Sequence, residues 1–259
     1  MSQIQKPKAL VLRGDGILCD IETAQAFVTA GFDVELKTID ELKADQVREV
    51  DLYPLYSAIA IPGGNSFNDT LGSGKLLALR LAHELGWKFE QYAQKGGMVI
   101  GIATGFQALI RMGVFGKDIS VTTNPTAKTI QAWVKVMPVG SQCVWLKGLG
   151  QLDLPLRHAE SRVVIHPNRK TETWVKLQRK GMNCLKFEAN PNNSDESVAG
   201  LCDSTGRVLG IMPHPESFVR WTSHPEWTLS PQRASAPGQG LALFENAYQE
   251  AVRALQPAL

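Results

Sequence analysis

The chain has 259 residues, 44% of them hydrophobic and 20% charged, with a formal net charge of +2. This balance gives no reason to expect nucleic acid or an acidic membrane surface as a partner. No apolar run approaches the roughly 20 residues of a membrane span, and residues 1–10 lack the apolar stretch of a secretory leader. The size suits one large α/β domain. The cysteines, Cys19, Cys143, Cys184 and Cys202, are scattered, with no Cys-x-x-C and no histidines paired at metal spacing. They favour a reducing compartment over a disulfide scaffold or a zinc site, and with no leader or span the chain reads as cytoplasmic.

Residues 9–12 read as a short apolar strand ending in Arg13-Gly14-Asp15-Gly16. Ala24, Phe27, Val28 and Ala30 recur at helical spacing, closed by Gly31, with Asp20 placed as the cap. Residues 34–39 alternate as a strand does, and residues 58–61 form an apolar strand running into Pro62-Gly63-Gly64-Asn65. A long helix is expected over about 76–92. Residues 98–102 are another buried strand, after which Phe106, Leu109 and Ile110 fall at helical spacing. Strands alternating with helices imply a mostly parallel sheet wrapped on both faces. Ligands of such sheets lie beyond the carboxyl ends of the strands. The loops after Leu12, Ile61 and Ile102 are expected to meet there.

The middle of the chain differs. Residues 134–139, 143–146, 152–156 and 162–165 are short extended stretches separated by turns, which suggests a small antiparallel layer beside the main sheet. Residues 171–179 read as a helix and 184–187 as a strand. Residues 208–212 are a last strand, ending in Pro213-His214-Pro215-Glu216. Residues 217–239, rich in Pro, Ser and Trp, read as a long loop. Residues 241–255 are a closing helix with Leu243, Phe244, Ala247, Tyr248 and Ala251 on one face.

The most informative stretch is Ile100-Gly101-Ile102-Ala103-Thr104-Gly105-Phe106-Gln107. A buried strand that turns sharply into a helix lifts the turn residue to the sheet's carboxyl end, beside free N–H groups. That is the geometry of a nucleophile elbow. The elbow residue is Ala103, which has no nucleophile. His214 and Glu216 stand just past a strand, where alternate side chains share one side, and a carboxylate there can orient an imidazole and support its charge. The bland alternative is a His-Pro turn with a surface glutamate. Gly63-Gly64 can bring backbone N–H groups close to an oxyanion, or merely make a tight turn. His158 and Glu160 repeat the His-x-Glu spacing, with a solvated ion pair at least as good a reading. Cys19 is a candidate displaced nucleophile, although a buried thiol is the commoner fate of a lone cysteine. Thr104 is a weaker candidate, because a one-residue shift in a sharp turn re-aims the side chain. Residues 72–76 resemble a phosphate loop only superficially, since no Gly-Lys-Ser or Gly-Lys-Thr is present.

Taken together, the elbow, the Pro62-Gly63-Gly64 turn and Pro213-His214-Pro215-Glu216 resemble class I, triad-type glutamine amidotransferases. The pattern is most similar to the glutaminase component of phosphoribosylformylglycinamidine synthase. Asn65 through Lys75, Gly105-Phe106-Gln107, Asn190-Pro191-Asn192-Asn193-Ser194, Gly206 through Glu216 and Gly238-Gln239-Gly240-Leu241 all follow that family. The resemblance covers nearly the whole chain and implies a single glutamine amidotransferase-like domain over residues 1–259 with a flavodoxin-like sheet. It implies a Cys-His-Glu triad acting on glutamine, with Ala103 at the nucleophile position and His214 and Glu216 as its partners. Backbone N–H groups of Gly64 and Thr104 would form the oxyanion hole, Gln107 would hold the substrate, and His158 and Glu160 would be accessory. It implies no cofactor in this chain, with ATP and Mg2+ belonging to a synthetase partner that receives the ammonia. The chain departs from the family at Ala103-Thr104, where the family has Cys-Asn, and at His158-Ala159-Glu160-Ser161, where it has His-Gly-Glu-Gly. An alanine cannot form the glutamyl thioester, so loss of glutamine hydrolysis is expected. The alternatives are an inactive pseudo-glutaminase that docks on a synthetase or senses glutamine, and a hydrolase using Thr104 or Cys19.

Overall fold

A computed structural model of the chain describes residues 6–140 and 142–256. Residues 1–5 of the stretch read for a leader, and Ser141 and residues 257–259 of the expected domain, lie outside the described residues. Strand β1 (Lys8–Arg13) is followed by helix α1 (Asp20–Ala30), strand β2 (Asp33–Thr38), helices α2 (Ile39–Ala44) and α3 (Glu49–Leu55), and strand β3 (Ala58–Ile61). Helices α4 (Lys75–Leu79) and α5 (Glu90–Gln94) lead to β4 (Met98–Ile102) and α6 (Thr104–Arg111). Strands β5 (Ile119–Thr123), β6 (Ile130–Pro138), β7 (Leu152–His158) and β8 (Glu160–Ile165) come next, then helix α7 (Lys170–Arg179). Strands β9 (Leu185–Phe187), β10 (Val198–Cys202) and β11 (Val208–Ile211) precede the closing helix α8 (Leu241–Leu255).

Among the described residues the main sheet runs β2-β1-β3-β4-β11-β10-β9-β6-β7. Its first five strands pair parallel and the rest antiparallel. The parallel half is wholly buried in β3, β4 and β11, which explains why those strands read as continuous apolar runs. The separate small antiparallel layer is the β5–β8 pair. The other extended stretches of the middle, at β6 and β7, extend the main sheet instead. Among the described residues no helix is long and apolar enough to cross a membrane.

Several local expectations differ from the structure. The cap position of α1 is Cys19, with no side-chain cap bond, and Asp20 is the first helical residue, 3.5 Å from Arg13. Ile39 leaves the strand because Thr38 and Glu41 form a reciprocal capping box that starts α2. The expected long helix continues from α4 through a π-helical turn over Arg80–Glu84 and then breaks at Gly86, whose φ is 70°, so that Trp87 and Phe89 can both enter the core. Residues 144–146 form a 3-10 turn rather than a strand, fixed by Trp145 Nε1 donating to the Arg207 carbonyl at 3.0 Å. Strand β10 was not anticipated as a strand.

Candidate active site

The β4–α6 connection makes the expected elbow. Ala103 is buried, with φ 49° and ψ −104°, a backbone region that side-chain-bearing residues seldom adopt. Its N–H donates to the Ile211 carbonyl at 2.8 Å, which ties the elbow to the strand that carries His214. Gly105 is required by close packing: a Cβ there would lie 1.8 Å from the Ile61 carbonyl oxygen. Because α6 begins at Thr104, the N–H groups of its first turn have no acceptor within the helix.

The three loops expected to converge do so. Leu18 and Cys19 N–H groups donate to the Gly63 carbonyl at 3.1 and 3.2 Å, and Asn65 N–H donates to the Gly16 carbonyl at 2.7 Å. Gly64, at φ 147°, is pinned between them, since a Cβ there would meet the Gly16 carbonyl oxygen at 2.2 Å. Thr104 Oγ1 donates to the Gly64 carbonyl, so the hydroxyl considered as a nucleophile closes the loop instead.

His214 and Glu216 form the buried pair. Nδ1 of the imidazole is 2.7 Å from Glu216 Oε1, and the His214 N–H donates to the Pro155 carbonyl at 2.8 Å. Strand alternation does not bring them together, because β11 stops at Ile211; a 3-10 turn over Pro215–Ser217 does. Burial opposes a charge on His214, but the Glu216 carboxylate outweighs it and, with the Cys19 thiol, holds the imidazole up to about 10. The ring lies against the elbow: a Cβ on Gly63 would sit 2.8 Å from His214 Cε1 and 3.3 Å from the Ala103 Cβ. Both His214 Nε2 and Glu216 Oε2 are buried without a hydrogen-bond partner, as is Gln107 Oε1. Unpartnered buried polar atoms are costly. Their gathering at one place marks a site shaped for a ligand rather than for stability.

The remaining expected residues separate into two groups. Gln107 Nε2 donates to the Glu160 carbonyl, and the Ser73 N–H donates to Glu160 Oε2 at 2.9 Å, so Glu160 braces the pocket wall. His158 and Glu160 do not form the solvated ion pair considered above. His158 is buried in a polar network instead, with Nε2 2.7 Å from Ser161 Oγ and Nδ1 3.4 Å from Asn124 Nδ2. Asn192 Nδ2 also donates to Ser161 Oγ, at 2.6 Å. Burial, helped by the charge of His214, pulls His158 down to about 4. A cleft of about 400 Å³ joins these parts and is lined by Cys19, Gly64, Ala103, Gln107, His158 and His214, among others. It shares Glu22, Gln131 and Arg157 with a wider groove of about 830 Å³.

Sequence reasoning undervalued Cys19. It is half-buried rather than a core thiol, and its Sγ is 3.9 Å from His214 Nδ1. The signal available was its place after the first strand, in the loop expected to meet the elbow. Asn124 was missed altogether, since nothing in its local sequence distinguishes it from an ordinary turn residue.

The CobB/CobQ-like glutamine amidotransferase domain model matches residues 6–249. The chain is 35% identical over 255 residues to phosphoribosylformylglycinamidine synthase subunit PurQ of Dehalococcoides mccartyi, covering 94% of this chain and 97% of that relative. It is 31% identical over 267 residues to the subunit of the same name from Methanococcus maripaludis, covering 94% and 97%. Its fold resembles the structure of PurLQS from Thermotoga maritima, with a TM-score of 0.71 at 24% identity, over 97% of this chain and all of that one (100%).

Proposed function

The chain belongs to the CobB/CobQ-like glutamine amidotransferase family, and from that premise we propose that it is a PurQ-like subunit that binds glutamine but does not hydrolyse it. It would act in de novo purine biosynthesis in the cytoplasm, as one domain over residues 1–259, docked on a phosphoribosylformylglycinamidine synthase synthetase subunit. ATP and Mg2+ would belong to that partner. The observation that carries this reading is the intact elbow around Ala103, with the 2.7 Å His214–Glu216 pair beside it and no nucleophile on the turn. In this reading His214 and Glu216 keep their family roles as proton carrier and orienting carboxylate. Gly64 and Thr104 N–H groups would face the amide oxygen, and Gln107 would hold the glutamine, with His158 and Glu160 supporting the wall.

The chemistry stops at one step. Hydrolysis in such a site needs a sulfur to bond to the amide carbon as the amide nitrogen takes up the thiol's proton and leaves as ammonia, after which water releases glutamate from the thioester. A methyl group cannot make that bond. Binding needs none of it, so glutamine affinity should survive. A second reading rests on the 3.9 Å approach of Cys19 to His214: Cys19 would be the displaced nucleophile.

An electrophilic glutamine analogue separates the two. Mass spectrometry of the treated chain is expected to find no covalent adduct, whereas an Ala103→Cys variant acquires one at position 103. Calorimetry should detect glutamine binding by the unmodified chain in the presence of the synthetase. An adduct on Cys19 that disappears in Cys19→Ser would overturn the first reading in favour of the second.

A further inference from the structure

The cysteines that are scattered in sequence are not scattered in space. Cys143, Cys184 and Cys202 come from three separate segments, yet their Sγ atoms all lie within 4.8 Å of one another, and all three side chains are buried. The cluster lies away from the candidate active site. Strand β10 runs antiparallel to β11, and β11 runs parallel to β4. Cys202, at the carboxyl end of β10, therefore sits at the amino ends of the strands whose carboxyl ends carry His214 and Ala103.

Each member is held by backbone contacts. Cys143 precedes the 3-10 turn Val144–Leu146, and its carbonyl accepts from the Leu146 N–H at 3.2 Å. The Cys184 carbonyl accepts from Val139 N–H at 3.0 Å, which joins its segment to the end of β6. Cys202 Sγ donates to the Gly181 carbonyl at 3.3 Å, and its N–H donates to the Met182 carbonyl at 2.9 Å. The sulfurs thus converge beneath the turn at Lys180 and Gly181, which reaches the surface.

We propose that Cys143, Cys184 and Cys202 form a second site, remote from the glutamine pocket, that binds one monovalent thiophilic cation, Cu(I), in an all-sulfur trigonal arrangement. Sulfurs at about 2.3 Å from a metal in a trigonal plane stand roughly 4 Å apart, a spacing the cluster reaches without large movement. No histidine or carboxylate joins the three sulfurs in the cluster among the described residues. The neighbouring Asp203 uses its carboxylate on Thr205, Arg207 and Val208. Three soft donors without a fourth ligand disfavour Zn(II), which is almost always four-coordinate in structural sites, and suit Cu(I). Each metal–sulfur bond made from a thiol releases one proton to water, and no electron is transferred.

The test is an anaerobic titration of the reduced full chain with Cu(I) against a colorimetric Cu(I) chelator. One equivalent per chain should be withheld from the chelator, with an all-sulfur shell in the copper X-ray absorption spectrum. Cys184→Ser and Cys202→Ser should each weaken retention by roughly tenfold or more, a loss that even outer partners of a metal site produce. Their circular dichroism checks that they fold. Cys19→Ala should retain the equivalent in full, which distinguishes this cluster from the Cys19–His214–Glu216 group. Failure to withhold copper, loss of retention in Cys19→Ala alone, nitrogen or oxygen in the shell, or displacement of the copper by Zn(II) would each overturn the assignment.

Discussion

At the scale of single residues, two histidines give the site opposite pH behaviour. Burial and the charge of His214 pull His158 down to about 4, against about 6.5 in an unfolded chain. Its contribution to stability is therefore complete above about 6.5 and falls as pH drops toward 4, because the unfolded state takes up the proton first. His214 has the reverse sign. Burial works against its charge, but Glu216 and Cys19 hold it up to about 10, so its contribution is present below about 6.5 and is lost as pH rises toward 10. Urea denaturation across this range should show stability falling on both arms. His158→Gln should flatten the acid arm and His214→Gln the alkaline arm; an unchanged profile in either variant would contradict the assignment. Gly105 gives a prediction with no titration in it. A Cβ 1.8 Å from the Ile61 carbonyl oxygen forces α6 away from β3, so Gly105→Ala should lose about 3 kcal/mol in the same measurement.

At the scale of elements, the parts legible in the sequence are those whose signal is local. Val99, Ile100 and Ile102 bury both faces of a strand, Gly105 permits the close helix, and Gly31, at φ 120°, stops α1. The elbow and the convergence of three loops follow from these. Contacts made across the chain were not legible. Nothing local says that Trp87 and Phe89 must both be buried, which is what breaks the long helix. Nothing local brings Cys19 to His214, since 195 residues separate them. The link runs through α1, whose cap position is Cys19 and which lies under α8. Phe27 meets Phe244 edge to face at 5.0 Å, and Phe32 meets Tyr248 at 5.4 Å. Phe244→Ala should therefore cost about 3–5 kcal/mol and loosen the wall of the cleft. The rate at which Cys19 reacts with a small alkylating reagent checks the second effect: it should rise in Phe244→Ala, and a rate equal to that of the native chain would show that α8 does not hold the cap of α1 in place.

At the scale of the whole molecule, the parallel half of the sheet supplies the turns and the antiparallel half supplies the wall. Strand β7 delivers His158 and the Pro155 carbonyl that holds His214. The cleft thus lies between the turns at the carboxyl ends of the parallel strands and β7, the edge strand of the antiparallel half, and under the proposed function the site around Ala103 lacks only its nucleophile. Because that residue is buried, docking on a synthetase should not depend on it. Co-elution with the synthetase in size-exclusion chromatography is expected to be the same for the native chain and Ala103→Cys; a change would mean that the elbow contributes to the interface. The most direct test is ammonia release from glutamine by the two chains side by side, each with the synthetase and its nucleotide substrates. The proposed function predicts release by Ala103→Cys and none above background by the native chain. Release by the native chain at a comparable rate would contradict the claim that its nucleophile is missing, and silence from both would contradict the claim that the rest of the site is complete.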